Sequence, residues 1–99
     1  MRLTRQRKPV PGETEISFPL LECWNPMTHV ATIAAEVNKR RVLCRISFEV
    51  LQECFDASED APMKAVAENR TVIQANARRL IEREAFEEDG SILLRGIDV

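Results

Sequence analysis

The side chains with the most reactive chemistry in this sequence are one histidine and three cysteines. His29 follows Cys23 by six residues, and Cys44 falls on a strand predicted to pair with the strand that His29 begins. These residue types are the ones that a zinc site or a Cys–His nucleophile pair requires. Their spacing, however, matches no known zinc motif. We therefore assign no catalytic and no metal-ligating residue, and an odd number of cysteines favours reduced, buried thiols over disulfides.

The glycines and serines give no sign of a cofactor site or of a hydrolase. All three glycines are isolated, so no glycine-rich phosphate loop is present. Neither a serine nucleophile elbow nor a Cys-x-x-Cys pair occurs. The sequence predicts no cofactor and a non-catalytic protein. An enzyme that used Cys44 or Cys54 would be recognised by a thiol that reacts fast with an alkylating reagent.

Positive charge is concentrated at the amino terminus and along one helix. Arg2, Arg5, Arg7 and Lys8 precede Pro9, whereas the rest of the chain has ten basic and sixteen acidic residues. Residues 1–15 are predicted to be a flexible basic tail, which either aids solubility or touches an anionic partner. The helix cations alternate with glutamates, which is typical of a solvated face. Nucleic-acid binding through the tail and the helix arginines is the alternative function.

Two asparagines flank the apolar stripe of the longest predicted helix. Asn69 and Asn76 lie seven residues apart, three after Val66 and Ile73 respectively. Three interpretations are open: half-hydrated boundary positions, buried amides hydrogen-bonded to neighbouring elements, or contacts that fix the register of a second subunit. In the third case Arg70 and Arg78 lie at the rim of that contact. The candidate interaction residues are Asn69, Arg70, Asn76, Arg78, Arg2, Arg5, Arg7 and Lys8.

Length and composition are those of one ordinary globular domain. The chain has 99 residues, of which 44% are hydrophobic and 30% charged, with a net charge of −2. No apolar run approaches the ~20 residues that span a bilayer. The first residues have no apolar centre of the secretory type, so we expect a cytoplasmic protein without a membrane segment. Residues 16–99 are predicted to form a single domain after the tail.

Residues 62–86 are the segment around which the rest is organised. Val66, Ile73 and Leu80 recur every seven residues and begin an apolar stripe. Because this segment has no glycine, and no proline after Pro62, it is predicted to be one unbroken helix of roughly 36 Å. A shorter helix is predicted at residues 48–55, with Ser47 as its N-cap.

Four shorter segments, at residues 16–21, 29–37, 41–46 and 91–95, have the composition of strands. Residues 29–37 and 41–46 alternate apolar and polar positions across Asn38-Lys39-Arg40 and predict a hairpin. Pro19 predicts either an edge position or a strand end for the first strand, and residues 23–26 are predicted to be a turn. The order β-β-β-α-α-β predicts an α+β fold, with a small antiparallel sheet packed on one long and one short helix.

Four motifs occur in the order found in a known family. Trp24-Asn25 precedes a strand, and VLCRIS at 42–47 leads into FEVLQECF at 48–55. The helix has AVAENRTVIQANARRLI at 65–81, and an acidic-glycine turn precedes SILL at 91–94. In these motifs the chain resembles the bacterial domain of unknown function 1488 family of small proteobacterial proteins. The resemblance begins at about residue 16. It implies an α+β domain with no established activity and contributes no catalytic residue.

The function predicted from the sequence is therefore that of a small bacterial interaction or accessory domain. The expected partner is another protein or a second copy of the chain, and nucleic acid is the alternative partner. Deleting the tail separates the two classes, since salt-sensitive retention of nucleic acid that depends on the tail indicates the alternative.

Overall fold

The structure is a computed structural model and describes residues 14–96. It contains a five-stranded mixed sheet and three helices, so the predicted α+β class is confirmed. In chain order the elements are β1 (Ile16–Ser17), β2 (Glu22–Asn25), β3 (Val30–Val37), β4 (Arg40–Ser47), α1 (Phe48–Phe55), α2 (Pro62–Glu68), α3 (Arg70–Glu82) and β5 (Ile92–Leu94). Among the described residues, none of the helices has the length and apolar content that crossing a membrane requires.

The hairpin of β3 and β4 forms the centre of the sheet. Its register pairs Val37 with Arg40 and places Asn38 and Lys39 at the tip. Both tip residues have positive φ, 51° and 72°, as a two-residue type I′ turn requires. The right-handed twist of this turn matches that of the strands it joins. The predicted hairpin is confirmed.

The strand at one edge of the sheet is interrupted. β1 and β2 both pair antiparallel with β3, at its carboxyl and amino ends respectively. Between them the chain turns at Pro19, whose carbonyl accepts a hydrogen bond from the Leu21 N–H at 2.8 Å. Pro19 has no N–H to give to a ladder, which explains the interruption and its edge position. The turn predicted at residues 23–26 is wrong for Cys23 to Asn25, which belong to β2; the turn begins after Asn25.

The opposite edge of the sheet differs from the prediction in direction. β5 pairs with β4 in parallel, with Cys44 opposite Ile92 and Ile46 opposite Leu94. The predicted sheet was antiparallel throughout. A parallel neighbour needs a long crossover, and the three helices between Ser47 and Ile92 supply it.

The first helix begins where it was predicted to begin. Ser47 has an extended backbone, and its side-chain oxygen accepts a hydrogen bond from the Val50 N–H at 3.3 Å. This N-cap satisfies one of the donors that the start of a helix leaves unpaired. At the other end Asp56, with φ of 56°, reverses the chain through a left-handed residue.

The long helix predicted over residues 62–86 is broken, which corrects the sequence analysis. α2 ends at Glu68 and α3 begins at Arg70, and Asn69 between them has φ of −116° and ψ of 23°. Both the backbone N–H and the side-chain amide of Asn69 donate to the Ala65 carbonyl oxygen, at 3.0 and 2.9 Å. An asparagine side chain that competes for a helical carbonyl favours a bend. α3 then ends at Glu82, earlier than predicted.

One continuous core lies between the helices and one face of the sheet. The break does not expose the apolar stripe, since Val66 and Ile73 are fully buried and Leu80 is 5% exposed. The sheet contributes alternate residues of β3, β4 and β5, as the strand pattern predicted. The fully buried sheet residues are Ala31, Ala35, Cys44, Ile46, Ile92 and Leu94.

A pair of adjacent helix residues tests this packing. We expect Ile73→Ala to lower the free energy of unfolding by about 2–5 kcal/mol, because it leaves a cavity where Ile73 is fully buried. Val72, which is 46% exposed on the same helix, is the control, and Val72→Ala should change the free energy of unfolding by less than about 1 kcal/mol. Urea denaturation measures both, and equal effects would contradict the assigned helix face.

Candidate functional site

Within residues 14–96, no helix covers the second face of the sheet, and this face is apolar at its centre. Side chains alternate along β3 and β4, so the residues between the core positions project to this second face. The register places Ala34 beside Leu43 there, and Cys23 beside Thr32. An antiparallel sheet with one face in water usually has polar side chains on that face. We call the group of Leu21, Cys23, Thr32, Ala34 and Leu43 the open-face patch.

The open-face patch forms a shallow depression rather than an enclosed pocket. Its volume is about 280 Å³, and Glu22 and Arg41 complete its wall. Leu21 and Leu43 are 48% and 47% exposed, whereas Ala34 at the floor is 4% exposed. Two half-exposed leucines therefore surround an alanine that is almost fully buried.

Paired charges surround the patch. Arg41 donates to Glu36 at 3.2 Å, and these two residues lie directly opposite each other on β4 and β3. Arg45 donates to the Ser91 hydroxyl at 2.8 Å and lies 3.6 Å from a carboxylate oxygen of Asp89. Hydrogen bonds from Ser91 lower the pKa of Asp89, with a smaller contribution from Arg45. The rim is therefore polar and nearly neutral.

Arg70, a candidate interaction residue, ties α3 to the edge strand. Its Nε donates to a Glu22 carboxylate oxygen at 2.7 Å, and its Nη2 contacts the same oxygen. The side chains of Arg70 and Glu22 are only 33% and 21% exposed. Pairing satisfies charges that would be costly to leave alone at this depth.

Arg78 makes a second tie to the same edge, one strand segment away. Its guanidinium donates to the Ile16 carbonyl at 3.2 Å and lies 5.9 Å from the centre of the Phe18 ring. The contact with Phe18 is within cation–π range. Arg70 and Arg78 together hold α3 along the interrupted edge strand.

The two asparagines differ in burial, but both bond within their own helix. Asn69 is half-buried, and Asn76 is 7% exposed. The Asn76 amide donates to the Val72 carbonyl at 3.0 Å, and its oxygen accepts a hydrogen bond from Arg79. Each amide therefore has a partner inside its own subunit. The remaining candidates, Arg2, Arg5, Arg7 and Lys8, lie outside the described residues.

The reactive side chains of the sequence are also separated. Cys44 points into the core, whereas Cys23 projects to the open face, because their positions alternate in the paired strands. His29 is exposed and stacks on Trp24, with ring centres 6.2 Å apart. The expectation of buried thiols holds for Cys44 but is wrong for Cys23 and Cys54, which are exposed; all three thiols are free.

The sequence analysis missed the open-face patch as a candidate site. The strand pattern does indicate an apolar outward face, because β3 has apolar residues at both alternating positions and Leu43 points outward on β4. The local sequence around Leu21 does not indicate that this residue belongs to the patch. It comes beside Ala34 only because the edge strand breaks at Pro19, and its carbonyl accepts a hydrogen bond from the Ala34 N–H at 3.1 Å.

Fold and site together define a small α+β domain in which helices cover one face of a mixed sheet and leave an apolar face open. The family model described as Protein of unknown function (DUF1488) matches residues 16–94, and the chain belongs to this family. The resemblance found in the sequence motifs is thereby confirmed.

A solved structure supports the fold. The crystal structure of a protein of unknown function from the same family, from Shewanella loihica PV-4, has a TM-score of 0.73 to this chain and is 23% identical in sequence. The match covers 80% of this chain and 90% of that one. At this identity the likeness shows the fold alone. No curated protein matches the chain.

The stability of variants tests the ion pair between Arg70 and Glu22. We expect Arg70→Met to lower the free energy of unfolding by about 1–3 kcal/mol, because it leaves the Glu22 carboxylate without its charged partner. Adding Glu22→Gln should recover part of this loss. The same double-mutant cycle on Glu36 and Arg41 is the control, since these side chains are 42% and 49% exposed. Its coupling free energy should be at most about 1 kcal/mol. Equal coupling free energies in the two cycles would contradict a stabilising role of the Arg70–Glu22 ion pair.

The pH dependence of the free energy of unfolding tests the burial of the Cys44 thiol. Burial raises the pKa of Cys44 from 9.0 to about 12, so from pH 9 to 12 the unfolded chain loses this proton before the folded chain does. Stability should therefore fall as pH rises through this window, by up to about 1.4 kcal/mol for each pH unit. Cys44→Ala should remove this slope, and Cys54→Ala should keep it. Urea denaturation from pH 8 to 10.5 measures the slopes; unchanged slopes in Cys44→Ala would contradict the assignment.

Proposed function

We propose that this protein is a non-catalytic interaction domain and that the open-face patch is its contact surface. The observation that carries the proposal is the apolar centre of a sheet face that no described helix covers. An apolar centre within a polar rim is the usual anatomy of a protein–protein interface. The partner to which we commit is a second copy of the chain.

Charge supports self-association. Around the patch, Glu36 is paired with Arg41, and Arg45 lies beside Asp89. Two copies of a face with balanced charge do not repel each other, whereas two copies of a face with one sign of charge would. The same face on both subunits also gives the isologous contact that a two-fold dimer requires.

Geometry limits the affinity that this contact provides. Strands of eight residues are about 27 Å long, and four adjacent strand positions are about 19 Å wide. Because only β3 and β4 have eight residues, the face offers at most about 500 Å² to each partner, below the about 800 Å² of a standard interface. We therefore expect a reversible dimer with a dissociation constant in the micromolar range.

Sedimentation equilibrium over a hundredfold range of concentration tests the proposal. The wild-type protein should pass from monomer to dimer as its concentration rises. Leu43→Glu should stay monomeric because it puts an unpaired charge at the centre of the contact. Val72→Glu is the matched control, since Val72 is 46% exposed on α3 and Leu43 is 47% exposed on the sheet. A wild-type protein that stays monomeric throughout, or a Leu43→Glu variant that dimerises normally, would overturn the proposal.

A further inference from the structure

Two adjoining clefts lie at the end of the sheet opposite the hairpin tip, where β3 begins and β4 ends. His29 and Phe48 line both clefts, whose volumes are about 270 and 220 Å³. Glu49 is in the wall of the larger cleft, and Glu59 is in the wall of the smaller one. We call these two clefts together the twin cleft. Each half therefore combines the same two aromatic side chains with one carboxylate.

The aromatic side chains of the twin cleft are held in place by their neighbours. The His29 ring lies nearly parallel to that of Trp24, and the Phe48 ring meets Trp24 edge-on with ring centres 6.2 Å apart. Trp24 is paired with the fully buried Ala31, which places it on the helix side of the sheet. The His29 N–H donates to the Asn25 carbonyl, and the His29 carbonyl accepts from the Phe48 N–H, each at 2.8 Å. A ligand therefore meets a preorganised aromatic surface.

The charge around the twin cleft is negative. Residues 48–63 contain five acids and neither lysine nor arginine, and all five acids are exposed. They are Glu49, Glu53, Asp56, Glu59 and Asp60. A cluster of one sign of charge raises the local concentration of ions of the opposite sign. Cations are therefore attracted to this end of the domain.

An anion does not fit the twin cleft, although α1 begins beside its larger half. The start of a helix attracts anions through unpaired N–H groups. Here the Phe48 N–H already donates to the His29 carbonyl at 2.8 Å. The Val50 N–H donates to the Ser47 side chain at 3.3 Å. The Glu49 carboxylate in the first turn also repels an anion.

The side chains of the twin cleft suit an organic cation better than a metal ion. Among residues 14–96, no group of three or more His, Cys, Asp and Glu side chains is placed to hold a metal ion. Aromatic faces attract ammonium groups, and they also cover the alkyl chains that carry such groups. Because each half of the twin cleft has one carboxylate, it matches two ammonium groups joined by a short apolar chain.

We propose that the twin cleft binds a linear aliphatic diammonium, with one ammonium beside Glu49 and the other beside Glu59. The methylene chain between them lies across the rings of His29 and Phe48. Polyamines carry this chemistry as free molecules, and two nearby lysine side chains carry it within a peptide. The twin cleft is separate from the open-face patch, so binding does not need a dimer.

The fluorescence of Trp24, the single tryptophan of the chain, measures binding. At low salt 1,5-diaminopentane should change the emission and reach saturation, with a dissociation constant of about 1 mM or below. Pentylamine has the same chain but one ammonium, so it should bind about two- to fivefold more weakly. Acetyl-Lys-Ala-Lys-amide is the peptide probe. Tighter binding of the peptide than of the diamine would identify lysines of a protein as the source, and the reverse would identify a free polyamine.

Two pairs of substitutions distinguish the twin cleft from the acidic segment as a whole. Glu49→Gln/Glu59→Gln should weaken binding of the diamine about three- to thirtyfold, because both ion pairs are lost. Glu53→Gln/Asp56→Asn is the matched control, since it removes the same charge from exposed acids that do not line either cleft. It should weaken binding less than about twofold.

A substitution of His29 tests the aromatic surface. His29 has φ of 58°, a conformation that asparagine tolerates, so His29→Asn removes the ring without straining the backbone. We expect His29→Asn to weaken binding of the diamine about two- to fivefold through the lost contact with the ring. Circular dichroism checks that each variant is folded as the wild-type protein is.

Four results would overturn the proposal. The first is an emission that neither the diamine nor the peptide changes. The second is equal affinity for the diamine and for pentylamine. The third is an equal loss of affinity in the two pairs of acid substitutions, which would mean diffuse attraction to the acidic segment. The fourth is an equal response to Mg²⁺ at the same concentration, which would mean that any divalent cation suffices.

Discussion

The structure depends on burial at one face of the sheet. Side chains alternate across a strand, so β3, β4 and β5 can send only every second residue into the core, where Val66 and Ile73 of the helices meet them. The three helices pack against this one face. The same constraint that builds the core therefore leaves a second face, and the apolar residues Ala34 and Leu43 on that face are what make it a candidate contact surface.

Two arginines of α3 help to hold the described fold together. Arg70, which is half-buried, and Arg78, which is exposed, attach α3 to Glu22, Ile16 and Phe18 along the interrupted edge of the sheet. The ties matter because that edge is short and broken at Pro19, so its own ladder provides few hydrogen bonds.

The proposed open-face contact is mainly apolar. The open-face patch is ringed by paired charges, so association through it should change little with ionic strength.

Features that depend on a few neighbouring residues were determined by the sequence alone. The hairpin needs only Asn38 and Lys39 with positive φ. Helix α1 needs only Ser47 as N-cap, followed by apolar residues at helical spacing. Tertiary structure decided the rest. Asn69 and Asn76 both donate to the carbonyl four residues earlier, yet only Asn69 interrupts the helix. Arg70 and Arg78 find partners 48 and 62 residues away. Such contacts exist only after distant segments pack together, so no local pattern specifies them.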